Sequence, residues 1–256
     1  FQEKSYFVKG RAFHKAMEEF YKLSPGERTP KLLLDTYRAE ILANESSYAV
    51  SEDMRSDLVL GDKALNTYWG TYFNDTQIPK SKTEYEGRVE LPYVKVPFEF
   101  RIDVLCVDTD EPFILDFKTG TSPDMEKLEM FDLQLLRYVW AAAVTGFPVK
   151  KIGYQIIKLP RSSKGDVTVD RKWVYPTKKQ VAYAIHDLAM VVEEATRDNM
   201  LLFPNYKSDC EWSCDWFQLC MTSKMGGDAK TVEEKLFYTG DPPDMKMIEE
   251  DANDNS

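Results

Sequence analysis

Two aspartates, Asp103 and Asp116, lie on either side of the turn-like stretch VDTDEP. The midpoint between them falls at Thr109 and Asp110, so a simple hairpin would place the two side chains opposite each other. Directly opposed side chains in an antiparallel pair have Cβ atoms about 4.5 to 5.5 Å apart. Two carboxylates at that distance repel, and magnesium or manganese removes the repulsion because both ions prefer oxygen ligands. The hairpin therefore predicts a metal site.

Lys118 lies two positions after Asp116, and side chains alternate along a strand, so both residues face one way while Phe117 points into the core. The Lys118 ammonium could hold a water nucleophile, help to deprotonate it, or offset the charge of a phosphate. The alternative is a surface hairpin with solvated acids. However, both aspartates lie inside apolar runs, EFRIDVLCV and PFILDFK, and an unpaired buried carboxylate is costly. The metal site is therefore favoured.

The elements that must position these residues follow from the hydrophobic pattern. Helices are predicted over residues 6–22, 31–73, 126–145 and 177–200, whereas residues 83–115 and 151–159 have the pattern of strands. The order is helix, helical insertion, strands, helix, strand, helix. This order predicts an α/β fold in which helices flank a central mixed sheet.

Composition sets broad limits on the chain. Its 256 residues are 43% hydrophobic, enough for one sizeable core. The formal net charge of −10 argues against a generally basic coat for nucleic acid, but positive charge can be confined to one groove. Residues 223–256 form an acidic tail, predicted to be disordered. Because no long apolar run or signal peptide is visible, a soluble cytoplasmic protein is expected. The start at Phe1 suggests that upstream native sequence is missing.

Three of the four cysteines, Cys210, Cys214 and Cys220, lie close together in DCEWSCDWFQLC. Such spacing favours ligation of a soft metal centre over a disulfide scaffold. Zinc and free thiols are the alternatives. Cys106 lies in a predicted strand and is expected to be buried in the core.

Four short motifs occur in order along the chain. They are Gly10 and His14 in GRAFH, Arg101 and Asp103 in RID, Asp116 and Lys118 in DFKTG, and Gln134 and Tyr138 on one helix. Together, over residues 7–220, they resemble the PD-(D/E)XK superfamily. The resemblance is to its RecB-like branch, which includes helicase-associated nucleases, CRISPR-associated spacer-acquisition exonucleases and phage exonucleases.

The resemblance implies a restriction-endonuclease-like fold. Residues 1–222 would form one nuclease domain, with a helical insertion at 24–80 and a cysteine segment at 205–222. His14, Asp103, Asp116 and the Phe117 carbonyl would bind magnesium or manganese. Glu90 resembles the additional acidic position of the family, although Glu84 and Glu86 compete with it.

The remaining motif residues would contact DNA or support the active site: Gly10, Arg101, Gln134 and Tyr138. Gly10 lies one helical turn before His14 and would leave room beside the imidazole. Two alternatives stay open, because His14 could be an ordinary core histidine and Tyr138 a core aromatic residue.

For the cysteine segment, the resemblance implies a 4Fe-4S cluster held by Cys210, Cys214 and Cys220 together with one distant N-terminal cysteine. No cysteine precedes Gly10 in this chain, so the fourth ligand is not visible. Zinc remains the competing metal.

The implied function is a metal-dependent DNA nuclease, with single-strand exonuclease activity expected in recombination, repair, replication or CRISPR adaptation. Aromatic and basic residues of the helical insertion would guide the strand. Partners would be single-stranded DNA and a helicase, recombinase or CRISPR-adaptation protein, in a bacterial or phage-infected cell. The alternatives are a non-catalytic DNA-binding or assembly module and a zinc-stabilised interaction protein.

Overall fold

The computed structural model describes residues 5–48, 51–73, 75, 78–94, 96–120, 132–160, 165–197 and 217–236. The chain divides into two compact units, Phe1–Arg197 and Asp198–Ser256. The first unit contains the sheet and the predicted hairpin. In the second unit, two short helices are described, α6 (Phe217–Lys224) and α7 (Ala229–Leu236). Helix α7 lies within the stretch 223–256 that was predicted to be disordered, and the acidic residues 241–256 lie outside the described residues.

The first unit begins with three helices, α1 (Ser5–Tyr21), α2 (Pro30–Ala43) and α3 (Ser51–Tyr72). The predicted helical segment 31–73 is thus divided in two. Pro30 is suited to the first position of α2, where its missing N–H would have no helical partner. Thr29 caps the same helix, because its side chain accepts a hydrogen bond from the Leu32 N–H.

Five strands form one sheet within the described part of the chain, in the order β1 to β5. They are β1 (Lys82–Glu90), β2 (Pro97–Cys106), β3 (Phe113–Gly120), β4 (Lys151–Lys158) and β5 (Thr168–Val174). The β3–β4 pair is parallel and the other three pairs are antiparallel. Helix α4 (Leu133–Val144) lies between β3 and β4, as a parallel connection requires. Helix α5 (Lys178–Ala195) follows β5.

The buried apolar residues form two clusters. One joins α1, α2 and α3 to sheet residues such as Val104, Leu115 and Phe117. The other joins α4 to sheet residues such as Ile102 and Ile114. Helices therefore flank the sheet, and the predicted α/β class with a mixed sheet is confirmed.

The helical insertion is tied to the sheet by buried polar contacts. Arg171 Nη2 on β5 lies 2.7 Å from Asp75 Oδ2, and both side chains are almost fully buried. Tyr21, at the end of α1, donates to Asp75 Oδ2 and stacks against Phe117 of β3. These contacts fix the carboxyl end of α1 beside the strand that carries Asp116.

Strand β5 was not predicted. Its sequence carries three charged side chains, Asp170, Arg171 and Lys172, and its residues other than Arg171 are at least partly exposed. Such a strand lacks the alternating apolar pattern used to identify the others.

None of the described helices is long and apolar enough to cross a membrane.

Candidate metal centre

The predicted carboxylate pair lies where β2 and β3 separate. Their antiparallel ladder consists of three pairs and ends at Val104 opposite Leu115. The next position in this register places Asp103 opposite Asp116, as predicted. Here the Phe117 N–H donates a 3.0 Å hydrogen bond to Asp103 Oδ2, so the carboxylate itself bridges the two strands where their ladder ends.

Three side chains converge at this point: His14 from α1, Glu84 from β1 and Asp103 from β2. One potential ligand atom from each lies within 4.8 Å of the others, and this is the one such group among the described residues. His14 Nδ1 is 3.4 Å from Asp103 Oδ2. One imidazole nitrogen and two carboxylates fit a magnesium or manganese ion, which binds through oxygen ligands and tolerates an imidazole.

Of the acidic residues considered in β1, Glu84 and not Glu90 lies at this cluster. Thr83 pairs with Val104 and Tyr85 with Ile102, so the register places Glu84 opposite Asp103. Glu90 pairs with Pro97. Pro97 is six residues before Asp103 in β2, which separates the two positions by about 20 Å along the strand. The prediction for Glu90 is thus wrong as to position.

Glu84 also has a left-handed backbone. Its φ of 46° lies in a region that residues other than glycine rarely adopt. Such strained residues concentrate at functional sites, where the surrounding structure enforces them. The strain in this strand therefore coincides with the cluster.

Asp116 and Lys118 form a second group beside the first. Lys118 Nζ is 2.9 Å from Asp116 Oδ2 and 3.9 Å from Asp132 Oδ2. Phe117, between them in sequence, is buried in the apolar cluster with α1. This is the predicted alternation, and it places an ammonium group against a buried carboxylate at the edge of the candidate metal centre.

Electrostatics in the cluster raise several pKa values. Burial raises the pKa of Asp116, and although the Lys118 ammonium opposes this effect, the Asp103 charge adds to it. Burial also raises the pKa of Glu84, with a further contribution from Asp103. For His14, burial alone would lower the pKa, but the neighbouring carboxylates, Asp103 first, outweigh it and raise the pKa. Crowded carboxylates of this kind are stabilised by a cation.

The cluster opens into a groove of about 600 Å³. Its lining includes Arg101, Gln134 and Tyr138, three of the residues predicted to contact substrate. Gln134 Nε2 donates a 2.8 Å hydrogen bond to Tyr138 Oη, and Arg101 Nε lies 3.1 Å from Glu84 Oε2. The Tyr138 ring also lies beside Phe98 and Phe100, so it contributes to the core as well as to the groove.

Helix α1 supplies one wall of the groove, through Phe7, Arg11, His14, Lys15 and Glu18. A Cβ atom at Gly10 would meet nothing within 4 Å, so there is open space beside this turn of the helix, as predicted. Among the described residues of the predicted 24–80 insertion, none lines this groove. The wall therefore comes from α1, not from the insertion expected to guide the strand.

The cysteine prediction is only partly within the described chain. Cys210 and Cys214 lie outside the described residues, whereas Cys220 lies on α6 and is half-buried. Cys106 is fully buried in the sheet core, as predicted.

The geometry agrees with a family match over most of the chain. The sequence model of the PD-(D/E)XK nuclease superfamily matches residues 2–221. The chain belongs to this superfamily. Its mixed sheet flanked by helices is the restriction-endonuclease-like fold implied by the motifs. Among curated proteins, no sequence matches the chain at a significant level.

Two solved structures are weakly similar to the chain. The crystal structure of SSO0001 is 14% identical, with coverage of 88% of this chain and 97% of that chain and a TM-score of 0.36. A proposed exonuclease from Eubacterium rectale is 9% identical, with coverage of 73% and 80% and a TM-score of 0.39. The family assignment rests on the sequence match.

Asp132 is a part of this PD-(D/E)XK site that sequence reasoning missed. Its Oδ1 accepts hydrogen bonds from the Gln134 and Leu135 N–H groups and so caps α4, while Oδ2 faces Lys118. The signal for it was an aspartate immediately before an apolar helix. One carboxylate thus connects the start of the Gln134–Tyr138 helix to the lysine.

The two roles of Asp132 are separable. Asp132→Ala should lose the cap and destabilise the protein by about 1 kcal/mol, whereas Asp132→Asn should retain it. We expect both variants to cleave about 10-fold more slowly, the usual effect of losing a group that orients the reacting residues. Chemical denaturation and a cleavage assay measure the two effects. Full activity in Asp132→Asn would show that the carboxylate acts only as a cap.

Proposed function

We propose that this PD-(D/E)XK chain is a metal-dependent DNA nuclease that degrades single strands from an end. The observation that carries the proposal is the convergence of His14, Glu84 and Asp103 within 4.8 Å, next to the Asp116–Lys118 pair. His14, Glu84 and Asp103 line the groove that also contains Arg101 and Tyr138.

His14, Glu84, Asp103, Asp116 and the Phe117 carbonyl would hold magnesium or manganese. Such a cation stabilises negative charge on the phosphate and lowers the pKa of a bound water. Asp103 keeps its orientation through the Phe117 N–H. Lys118 stands beside Asp116, from where its ammonium orients the attacking water or offsets the phosphate charge. Gln134 and Tyr138, joined by a hydrogen bond, present polar groups on the far wall.

Two features support a strand as the substrate. A second groove of about 550 Å³ shares Arg101 and Tyr138 with the first. A nucleic-acid strand that leaves the candidate metal centre would therefore continue into this second groove. The first groove is lined by three basic residues, Arg11, Lys15 and Arg101, which balance its three acidic residues. A bound divalent cation would therefore leave the groove positive, which suits a phosphate backbone.

The test compares linear and circular DNA. Linear single strands labelled at either end, the same strand closed into a circle, and a duplex are incubated with the protein and manganese. The proposal predicts release of short products from the linear strand, starting at one end, with the circle intact. Cleavage of the circle would show an endonuclease. Binding without cleavage of any substrate would support a non-catalytic DNA-binding module.

Cleavage at limiting manganese is expected to rise with pH. The pKa values of His14, Glu84 and Asp116 are raised, so these groups retain protons at a higher pH than free side chains. A protonated ligand cannot bind the cation, and metal binding must displace its proton. A tenfold increase in manganese should therefore move the rising limb to lower pH, by up to about one pH unit if one proton is displaced.

A pH–rate profile at two manganese concentrations measures this effect. His14→Gln should change the profile, whereas His186→Gln provides a matched control on the exposed surface of α5. A rising limb that stays at the same pH at both concentrations would contradict proton–metal competition.

The cysteine triplet adds a second part to the proposal. Cys210, Cys214 and Cys220 would hold a 4Fe-4S cluster together with one ligand outside the triplet. Anaerobic purification followed by iron and sulfide analysis and visible absorption tests this assignment. Cys214→Ser should lose iron, whereas Cys106→Ala, in the sheet core, should retain it. Stoichiometric zinc without iron would establish the zinc alternative.

A further inference from the structure

One face of α1 carries three different kinds of side chain in a row. Phe7, Arg11 and His14 are spaced by four and then three residues, so they lie on the same side of the helix. All three line the groove at the candidate metal centre. An aromatic ring, a guanidinium and a metal ligand therefore follow one another along a single wall.

Phe7 is an exposed aromatic residue in a polar groove. It is 53% exposed, and most of the other residues that line the groove are polar or charged. Tyr6 is next to it and is 41% exposed, with the two ring centroids 4.3 Å apart. The two rings are tilted by 41° to each other, so each ring face by itself offers a flat apolar surface. Nucleic-acid bases stack on aromatic faces regardless of sequence.

We propose that Phe7, supported by Tyr6, forms a base-stacking subsite for single-stranded nucleic acid. This inference rests on the proposed nuclease function and deepens it. A base stacked on Phe7 belongs to the same strand whose phosphate reaches the metal centre, because Phe7 and His14 share one groove. Arg11 lies between them and attracts the intervening phosphate. Glu40 and Asn44 hold its guanidinium in place, at 3.0 and 2.9 Å.

The spacing along α1 limits how far the stacked base lies from the cleaved phosphate. Phe7 and His14 are seven residues apart, which corresponds to about 10 Å along the helix axis. Successive bases of a stacked strand are about 3.4 Å apart. The stacked base therefore lies no more than about three nucleotides from the cleaved phosphate. Inside a duplex both faces of a base are already stacked on its neighbours, so the subsite favours single strands.

Abasic substrates test the subsite by cleavage. Single-stranded oligonucleotides carry one abasic site at successive positions, and the first cleavage is timed under single-turnover conditions. Cleavage by the native protein should be about 10-fold slower when the base at one position near the cleaved bond is missing. Phe7→Ala should be about 10-fold slower on the intact strand and insensitive to that abasic site. Phe73→Ala is the matched control, because Phe73 is 59% exposed and does not line the groove.

A second measurement is independent of cleavage. Phe7→Trp adds a fluorescent ring to an Asp116→Asn chain, which should not degrade DNA. Because the chain already has five tryptophans, Asp116→Asn alone gives the background emission. Stacking should quench the emission that Phe7→Trp adds when a single strand is added. If the single strand binds but the emission is unchanged, or if Phe7→Ala keeps the wild-type abasic profile, the subsite is wrong while the nuclease proposal stands. If no variant cleaves but emission is quenched by single strands and not by duplex, the subsite stands and the nuclease proposal fails.

Discussion

Asp103→Asn is expected to slow metal-dependent cleavage by about 1,000-fold, equivalent to losing about 4 kcal/mol of transition-state stabilisation. The substitution removes the charge of a proposed metal ligand but preserves the shape of the side chain. An asparagine Oδ1 can still accept the Phe117 N–H, which donates to Asp103 Oδ2 in the native protein. Strands β2 and β3 should therefore stay together at this point, and the fold should be retained.

The matched control is Asp110→Asn in the turn of the same hairpin, where the side chain is exposed. Single-turnover cleavage with saturating manganese measures the rate, and thermal unfolding shows whether the fold is intact. If the folded Asp103→Asn protein cleaved at more than a tenth of the native rate, Asp103 would not belong to the catalytic centre.

Lys118→Ala is expected to produce a second large loss, about 100-fold in rate, as is usual when a group that assists proton transfer is removed. It should also destabilise the metal-free protein by about 1 to 3 kcal/mol, because the buried Asp116 carboxylate loses its partner 2.9 Å away. Manganese should restore part of that stability, since the cation supplies the missing positive charge.

Thermal unfolding with and without manganese separates the two effects of Lys118→Ala. Lys158→Ala, at the exposed end of neighbouring β4, is the control. Equal stabilisation of the native and Lys118→Ala proteins by manganese would show that Lys118 and the cation do not share Asp116. Unchanged cleavage would exclude a catalytic role for the lysine.

The midpoint argument explains both what sequence reasoning found and what it missed. Applied to the turn between β2 and β3, it placed Asp103 opposite Asp116, and the observed register agrees. Applied to the preceding turn, between β1 and β2, it would have placed Glu84 opposite Asp103. Glu84, Glu86 and Glu90 all have the same parity along the strand, so alternation alone could not distinguish them. Only the position of the turn determines which acid reaches the cluster.

Other parts of the site depended on tertiary contacts that have no local pattern. The groove wall is α1, whereas the insertion instead packs as α2 and α3 and joins β5 through Asp75 and Arg171. Asp132 could be predicted as a helix cap, but its proximity to Lys118 arises only when α4 folds against β3. Strand β5 was missed because its charged residues obscure the strand pattern.

The most direct test of the metal centre is a manganese titration of cleavage on a labelled single strand. The native chain should be inactive with a chelator, gain activity with manganese to a plateau, and lose it again when the chelator is restored. Glu84→Gln should require much more manganese to reach half of its plateau, whereas Glu90→Gln should match the native chain. Cleavage that continues in the chelator, or equal manganese requirements for the two glutamate variants, would contradict a metal centre formed by His14, Glu84 and Asp103.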